Sequence, residues 1–183
     1  MAAANWFRYA YLAHFSRPKS VRQLFRLVKR HRVRNMVEVG ISDVTRAASL
    51  VEASQRFAGN EKVKLTGLDW FDARPQNQTP LSLKEAYRVL HATGANVRLV
   101  PGAPGTSLTA VANAHQNTDL ILISSAVTQD DLQAAWFYMP RMLHQRSLIL
   151  REHLDAAGQP SFEWLTLTQV AEWAGRAGGR RAA

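Results

Sequence analysis

The sequence has 183 residues and no cysteine. That absence excludes disulfides, thiolate metal sites and a cysteine nucleophile, and it fits a cytoplasmic protein. No stretch is long and apolar enough to span a membrane. The opening "MAAANWFRYAYLAHFSRP" is apolar and aromatic, but Arg8 and His14 interrupt it and the basic region follows it. A secretory signal has the reverse order, so none is expected. None of the six histidines stands at a known zinc spacing such as H-E-x-x-H, and there is neither a P-loop nor a nucleophile elbow around a serine. No metal site is therefore expected, and no catalytic residue can be named. Internal repeats are missing as well.

Acidic residues are missing from one region only. Before Glu38 there are nine Lys or Arg and no Asp or Glu, while the rest of the chain holds 14 of each sign. The net charge of +9 thus belongs to the N-terminal region, and the body is neutral. In "SVRQLFRLVKRHR", Val21, Leu24, Phe25 and Val28 recur at helical spacing, with Ser20 as the expected N-cap. Arg22, Arg26, Lys29 and Arg30 take the other side. This face is either a solvated helix surface or a patch for an acidic partner or nucleic acid. Trp6 and Phe7 beside it could anchor a partner or a homo-oligomer.

Beyond this segment, short apolar runs alternate with helical patterns. The runs are "NMVEVG", "KVKLTGLDW", "NVRLVPG", "DLILISS" and "SLILRE". Expected helices lie in "TRAASLVEASQRFA", in "SLKEAYRVLHATG" capped by Ser82, in "SLTAVANAHQ" capped by Thr106 or Ser107, in "TQDDLQAAWFYMPRML" capped by Thr128, and in "TLTQVAEWAGRAGG". Such alternation predicts an α/β fold: a three-layer αβα sandwich around a mainly parallel sheet of about five strands. One domain is expected, with a basic helical segment, residues 1–35, packed on a Rossmann-like body, residues 36–183. The apolar cluster "WFYMP" reads as packing.

Ligands of such sheets bind beyond the carboxyl ends of the strands. After the first strand, "EVGISDVTR" turns into a helix: Gly40 permits close backbone approach and Ser42 offers a hydroxyl. Val44 cannot comfortably hold a positive φ, so either the loop takes another path or Val44 lies in the first helical turn and faces the core. After the second, Asp69 either accepts ribose hydroxyls or caps its loop, and Trp70 either stacks on a flat ring or packs under the loop. Asp72 and Arg74 stand close enough to pair with each other. After the third, "LVPGAPGTS" specifies a turn through Gly102 and Ala103 but little chemistry. After the fourth, Ser124 and Ser125 reach the site mouth or bond the local backbone. "REHLD" puts Glu152, His153 and Asp155 beyond the fifth strand, as a general base or metal cluster or as a polar loop.

Glu38 and Gly40 of an acid-x-Gly-x-Gly-x-Gly loop, Asp69, the "PGAP" turn and "DLILISS" together resemble the class I S-adenosylmethionine-dependent methyltransferase superfamily. The resemblance covers roughly residues 36 to 152. It implies S-adenosylmethionine as cofactor and methyl transfer to an unknown acceptor. It implies Glu38, Gly40 and Ser42 along the methionine end, Asp69 on the ribose, Trp70, Gly102 and Ala103 around the adenine, and Ser124 and Ser125 toward the sulfonium. Ser42 and Val44 replace two loop glycines, Ala103 replaces a frequent acid, and little chain remains for the last antiparallel strands. A nicotinamide-binding Rossmann domain would also need glycine at Ser42. A non-catalytic binding or assembly module that keeps the fold without the cofactor is the second reading, and a nucleic-acid-associated protein the third. A working cofactor turn requires open space above Gly40, with Asp69 pointing into it.

Overall fold

A computed structural model of the chain describes residues 2–15, 18–59 and 61–179, with backbone alone at 2–6, 8 and 179. Its sheet has six strands: β1 (Asn35–Val39), β2 (Lys64–Asp69), β3 (Asn96–Pro101), β4 (Leu120–Ile123), β5 (Leu148–Leu154) and β6 (Pro160–Leu165). The spatial order is β3-β2-β1-β4-β5-β6, with β1 to β5 parallel and β6 antiparallel to β5. The helices are α1 (Ala2–His14), α2 (Lys19–His31), α3 (Val44–Phe57), α4 (Leu83–His91), α5 (Pro104–Val111), the single turn α6 (Gln133–Trp136) and α7 (Leu167–Gly179).

Alternation along the strands divides the core in two. Met36 of β1 faces the cluster that α1 to α4 cover, while Val37 and Val39 face the one that α5 to α7 cover. The central β4, all apolar, is buried on both sides, as a parallel strand between helical layers must be. Helix α2 buries Leu24, Phe25 and Val28 in the same cluster as α3 and β1, so the basic segment is packed into the domain by its apolar face.

The structure departs from expectation at several termini. The sixth strand is additional: "PSFEWL" returns from β5 through a turn in which Asp155 Oδ1 accepts from the N–H groups of Ala157 and Gln159. Its burial is mixed because it is an edge strand beginning with proline. Ser20 does not cap α2. The helix starts at Lys19, and the Ser20 hydroxyl donates instead to the Pro160 carbonyl of β6. Neither Thr106 nor Ser107 caps α5, which begins at Pro104, a residue preset for a first helical turn. The helix expected from Thr128 is broken. Thr128 and Asp131 bond each other reciprocally in a turn, α6 follows, and Met139–Met142 forms a 3-10 turn around Pro140. Ser82 does cap α4, accepting from the Glu85 N–H at 3.1 Å.

Candidate functional site

Strand order reverses between β1 and β4, because the chain crosses from β3 at one edge back to β4 beside β1. A cleft of about 230 Å3 opens there at the carboxyl ends. Its walls are Gly40–Ser42 after β1, Asp69 and Trp70 after β2, Pro104 at the start of α5, and Ser124–Val127 after β4. The structure thus brings six of the expected residues to one cleft: Gly40, Ser42, Asp69, Trp70, Ser124 and Ser125. Gly102 and Ala103 do not line it; Pro104 takes their side. Glu38 lies beneath the loop and is buried.

The loop solves its missing glycines in a specific way. Gly40 has φ 74°, the one position of the turn that needs glycine's freedom. Val44 is the first residue of α3 and packs partly against the core, so it needs no positive φ. Asp43, which the sequence reading passed over, is the N-cap: its Oδ1 accepts from Thr45 N–H at 2.9 Å and Arg46 N–H at 3.0 Å. The space beside Gly40 is not open. A Cβ there would stand 2.7 Å from Val127 Cγ2 and 2.9 Å from Ser124 Cβ. Ser124 serves its own loop, its Oγ accepting from the Ala126 N–H at 3.2 Å.

Asp69 is buried and fully bonded. Oδ2 accepts from the Ile41 N–H and Arg74 Nη2, both at 2.7 Å. Oδ1 accepts from the Phe71 N–H at 2.9 Å and Arg74 Nε at 2.7 Å. An ionised carboxylate has about four acceptor directions, and here all of them are taken. Arg74 is the residue that closes the site. Its fork also donates to the carbonyls of Ile41 at 2.5 Å and Thr79 at 2.6 Å. The expected Asp72–Arg74 pair does not form; Asp72 Oδ2 accepts from the Leu83 N–H instead. Phe71, between Asp69 and Arg74 in the chain, is buried at φ 49°, a strained conformation for a bulky residue. Trp70 neither fills the cleft nor packs under the loop; it stands 38% exposed at the rim.

A second charged group lies behind the first. Arg46, one helical turn after Ser42, donates from Nη2 to Ser42 Oγ at 2.6 Å and from Nη1 to Glu152 Oε1 at 2.5 Å. The other Glu152 oxygen accepts from the Ser125 N–H at 3.4 Å. Arg46 and Glu152 therefore tie the loop after β1 to the loop after β4. Glu38 Oε1 and Arg46 Nε are buried without a hydrogen-bond partner. Burial pushes the Glu38 carboxyl up to about 8, against the opposing attraction of Arg46. A neutral Glu38 leaves Arg46 and Glu152 charge-balanced, and an unpartnered neutral oxygen costs far less than an unpartnered charge.

The "REHLD" cluster is dispersed. Glu152 points to Arg46, His153 pairs with Glu163 at 2.9 Å on the exposed hairpin, and Asp155 holds the turn. Among the described residues no group of three acids or histidines could hold a metal, and no helix is long and apolar enough to cross a membrane. Of the two residues that shape the site unforeseen, Arg46 had a local signal, its i+4 spacing from Ser42. Arg74 had a misleading one, the nearer Asp72.

No family model matches the sequence, and no curated protein matches it. Solved structures do. The cofactor-bound protein Rv0187 from MTB is 18% identical, with a TM-score of 0.51 over 97% of this chain and 75% of that one. A TehB-like SAM-dependent methyltransferase from Corynebacterium glutamicum is 14% identical, with a TM-score of 0.48 over 96% of this chain and 80% of that one. This chain has a Rossmann-like three-layer α/β fold. In open α/β sheets the cleft at the switch point in strand order is the expected ligand site, and in this chain Arg74 pairs with Asp69 at that cleft.

Proposed function

We propose that the cleft binds S-adenosylmethionine and that the chain is a methyltransferase-like protein acting on an unidentified acceptor. The observation that carries this reading is the convergence of Gly40–Ser42, Asp69, Trp70 and the Ser124–Ser125 turn, from three separate strand ends, on one cleft at the switch point. The cofactor would supply a methyl group that an acceptor's lone pair takes from sulfur by in-line displacement.

The residues fit that cofactor only if Arg74 leaves Asp69 and Val127 and Ser124 draw back from Gly40. At about 230 Å3 the cleft is smaller than the roughly 300–1,000 Å3 of ordinary small-molecule sites. Movement of the Phe71–Thr79 loop would both enlarge it and free two carboxylate oxygens for ribose hydroxyls. Trp70 at the rim would border the adenine, and Ser42 and the backbone at Ile41 would face the methionine end. Glu38 would act from beneath, through the loop. Positioning is the main demand of methyl transfer, so a site without an acid/base pair is compatible with it. The cysteine-free sequence supports a cytoplasmic setting.

One observation favours the second reading, a non-catalytic module: the carboxylate meant for the ribose is saturated by protein donors. Calorimetric titration with S-adenosylhomocysteine separates the two. If the cleft is a cofactor site held shut, Arg74→Ala binds about tenfold more tightly than the wild type, because the closed state no longer competes. Asp69→Ala then loses binding. No heat from any of the three proteins up to millimolar ligand would discard the cofactor reading and leave the module.

A further inference from the structure

A second concave surface lies at the opposite end of the sheet, where α2 ends and β1 begins. This groove, about 730 Å3, is lined by His14, Arg26, Lys29, Arg30, Arg32 and Arg56, with Tyr9 and Phe57 as its apolar part. No acid lines it among the described residues. The adjoining hollow beneath Leu12 and Ala53 carries Glu52; the groove itself has five fixed cations from α2, its C-cap and α3. Lys29 Nζ sits 5.5 Å from the Phe57 ring centre and 5.8 Å from that of Tyr9, so the floor holds a cation over two rings.

Two of these cations are fixed by the backbone around them. Arg32 holds φ 49° and ψ 48° at the C-cap of α2, a left-handed position that favours glycine. In addition, Arg26 is built in place rather than waving in solvent. Its Nε donates to the Ala13 carbonyl at 2.9 Å, and its Nη2 lies 3.3 Å from His14 Nδ1. Beside His14 of the groove, Tyr11 and Phe15 stack on each other at the C-terminal end of α1, 61% and 70% exposed.

We propose that this groove binds single-stranded nucleic acid, with phosphates in the groove and bases on Tyr11 and Phe15. A cationic channel that tracks a backbone, flanked by exposed rings, is the arrangement that holds single strands without sequence preference. A bilayer is flat and cannot follow cations into a concavity, whereas a flexible strand can. Helix α3 separates this surface from the cleft: its 14 residues span about 20 Å, from Val44, two residues after Ser42 of the cleft, to Phe57 in the groove. The groove is thus a docking surface distinct from the cleft, and it stands whether or not the cleft binds a cofactor.

Fluorescence anisotropy with a labelled 20-nucleotide single-stranded RNA of mixed sequence tests it, without any cofactor. Five neutralised phosphates imply a loss of affinity of about 100-fold between 50 and 200 mM salt. Arg30→Glu/Arg56→Glu should weaken binding at least tenfold, and Tyr11→Ala/Phe15→Ala about tenfold, with unchanged melting temperatures because all four side chains are exposed. If a charge-reversed variant fails to fold, the salt slope of the wild type and the aromatic variant still decide. Absence of binding at 50 mM salt overturns the proposal, as does equal binding by the charge-reversed variant. Tighter capture by phosphatidylglycerol vesicles than by RNA also overturns it, assigning the surface to a membrane.

Discussion

The two ends of α3 carry charge in opposite ways. At its N-terminus, Asp69–Arg74 and Glu152–Arg46 are buried pairs whose members bond each other and the backbone of the loops they join. At its C-terminus, Arg30, Arg32 and Arg56 are exposed around a groove without acids. Buried pairs are committed to the protein: they fix loops, and losing one partner leaves a charge that water cannot reach. Exposed like charges contribute little to the fold and remain available to a partner. The first end commits its charges to the protein's own loops, while the second leaves Arg30, Arg32 and Arg56 exposed.

The comparison breaks most visibly at Arg46. Arg46→Ala should cost about 3–5 kcal/mol, because Glu152 loses its counter-charge inside the protein. Urea denaturation of the variant measures it. A loss below about 1 kcal/mol would mean that water already reaches the cluster, and the contrast between the two ends would fail. Ser42 and the loop after β4 would loosen together, since Arg46 and Glu152 tie them.

Much of the fold was legible because its signals are local. β4 is apolar at every position because both faces are covered, α3 shows its buried face at Ala47, Leu50, Val51 and Ser54, and Ser82 announces α4. β6 was not legible, since an edge strand with Pro160 at its start and exposed Trp164 within it shows no clean alternation. The site was legible as a set of strand ends but not as chemistry. Arg46 and Glu152 are 106 positions apart, and nothing local connects them. Arg74 has two acids within reach along the chain, and only the three-dimensional path of the loop selects Asp69. Trp6, whose side chain lies outside the described residues, gives the partner reading of the N-terminus nothing further; Phe7 beside it is exposed.

A smaller effect sharpens the comparison through pH. Glu38 is held near 8 in the folded chain against an ordinary value of 4.5. The folded state therefore keeps a proton that the unfolded state releases, so stability is greatest below about 4.5 and declines as pH rises toward 8. Glu38→Gln carries a neutral group at every pH and should remove that decline. The variant should match the wild type near pH 4 and exceed it increasingly as pH rises toward 9. Parallel pH profiles of the two proteins would show instead that Glu38 ionises without penalty, and the cluster would then hold two charged acids against one arginine.

The smallest expected effect lies at the other end of the helix and has the opposite sign. Arg32 occupies a left-handed backbone position that costs a residue with a Cβ about 1–2 kcal/mol. Glycine would relieve that strain but lose more chain entropy on folding, so Arg32→Gly should stabilise the fold by a net 0.5–1 kcal/mol, about. The same substitution removes one of the five cations of the groove and should reduce the salt dependence of RNA binding by about 0.7 in logarithmic slope. A variant that is more stable and binds less well would mean that this arginine is kept for its charge, at the expense of the fold. A variant that is more stable and binds equally well would remove Arg32 from the docking surface and leave its strain without a role there.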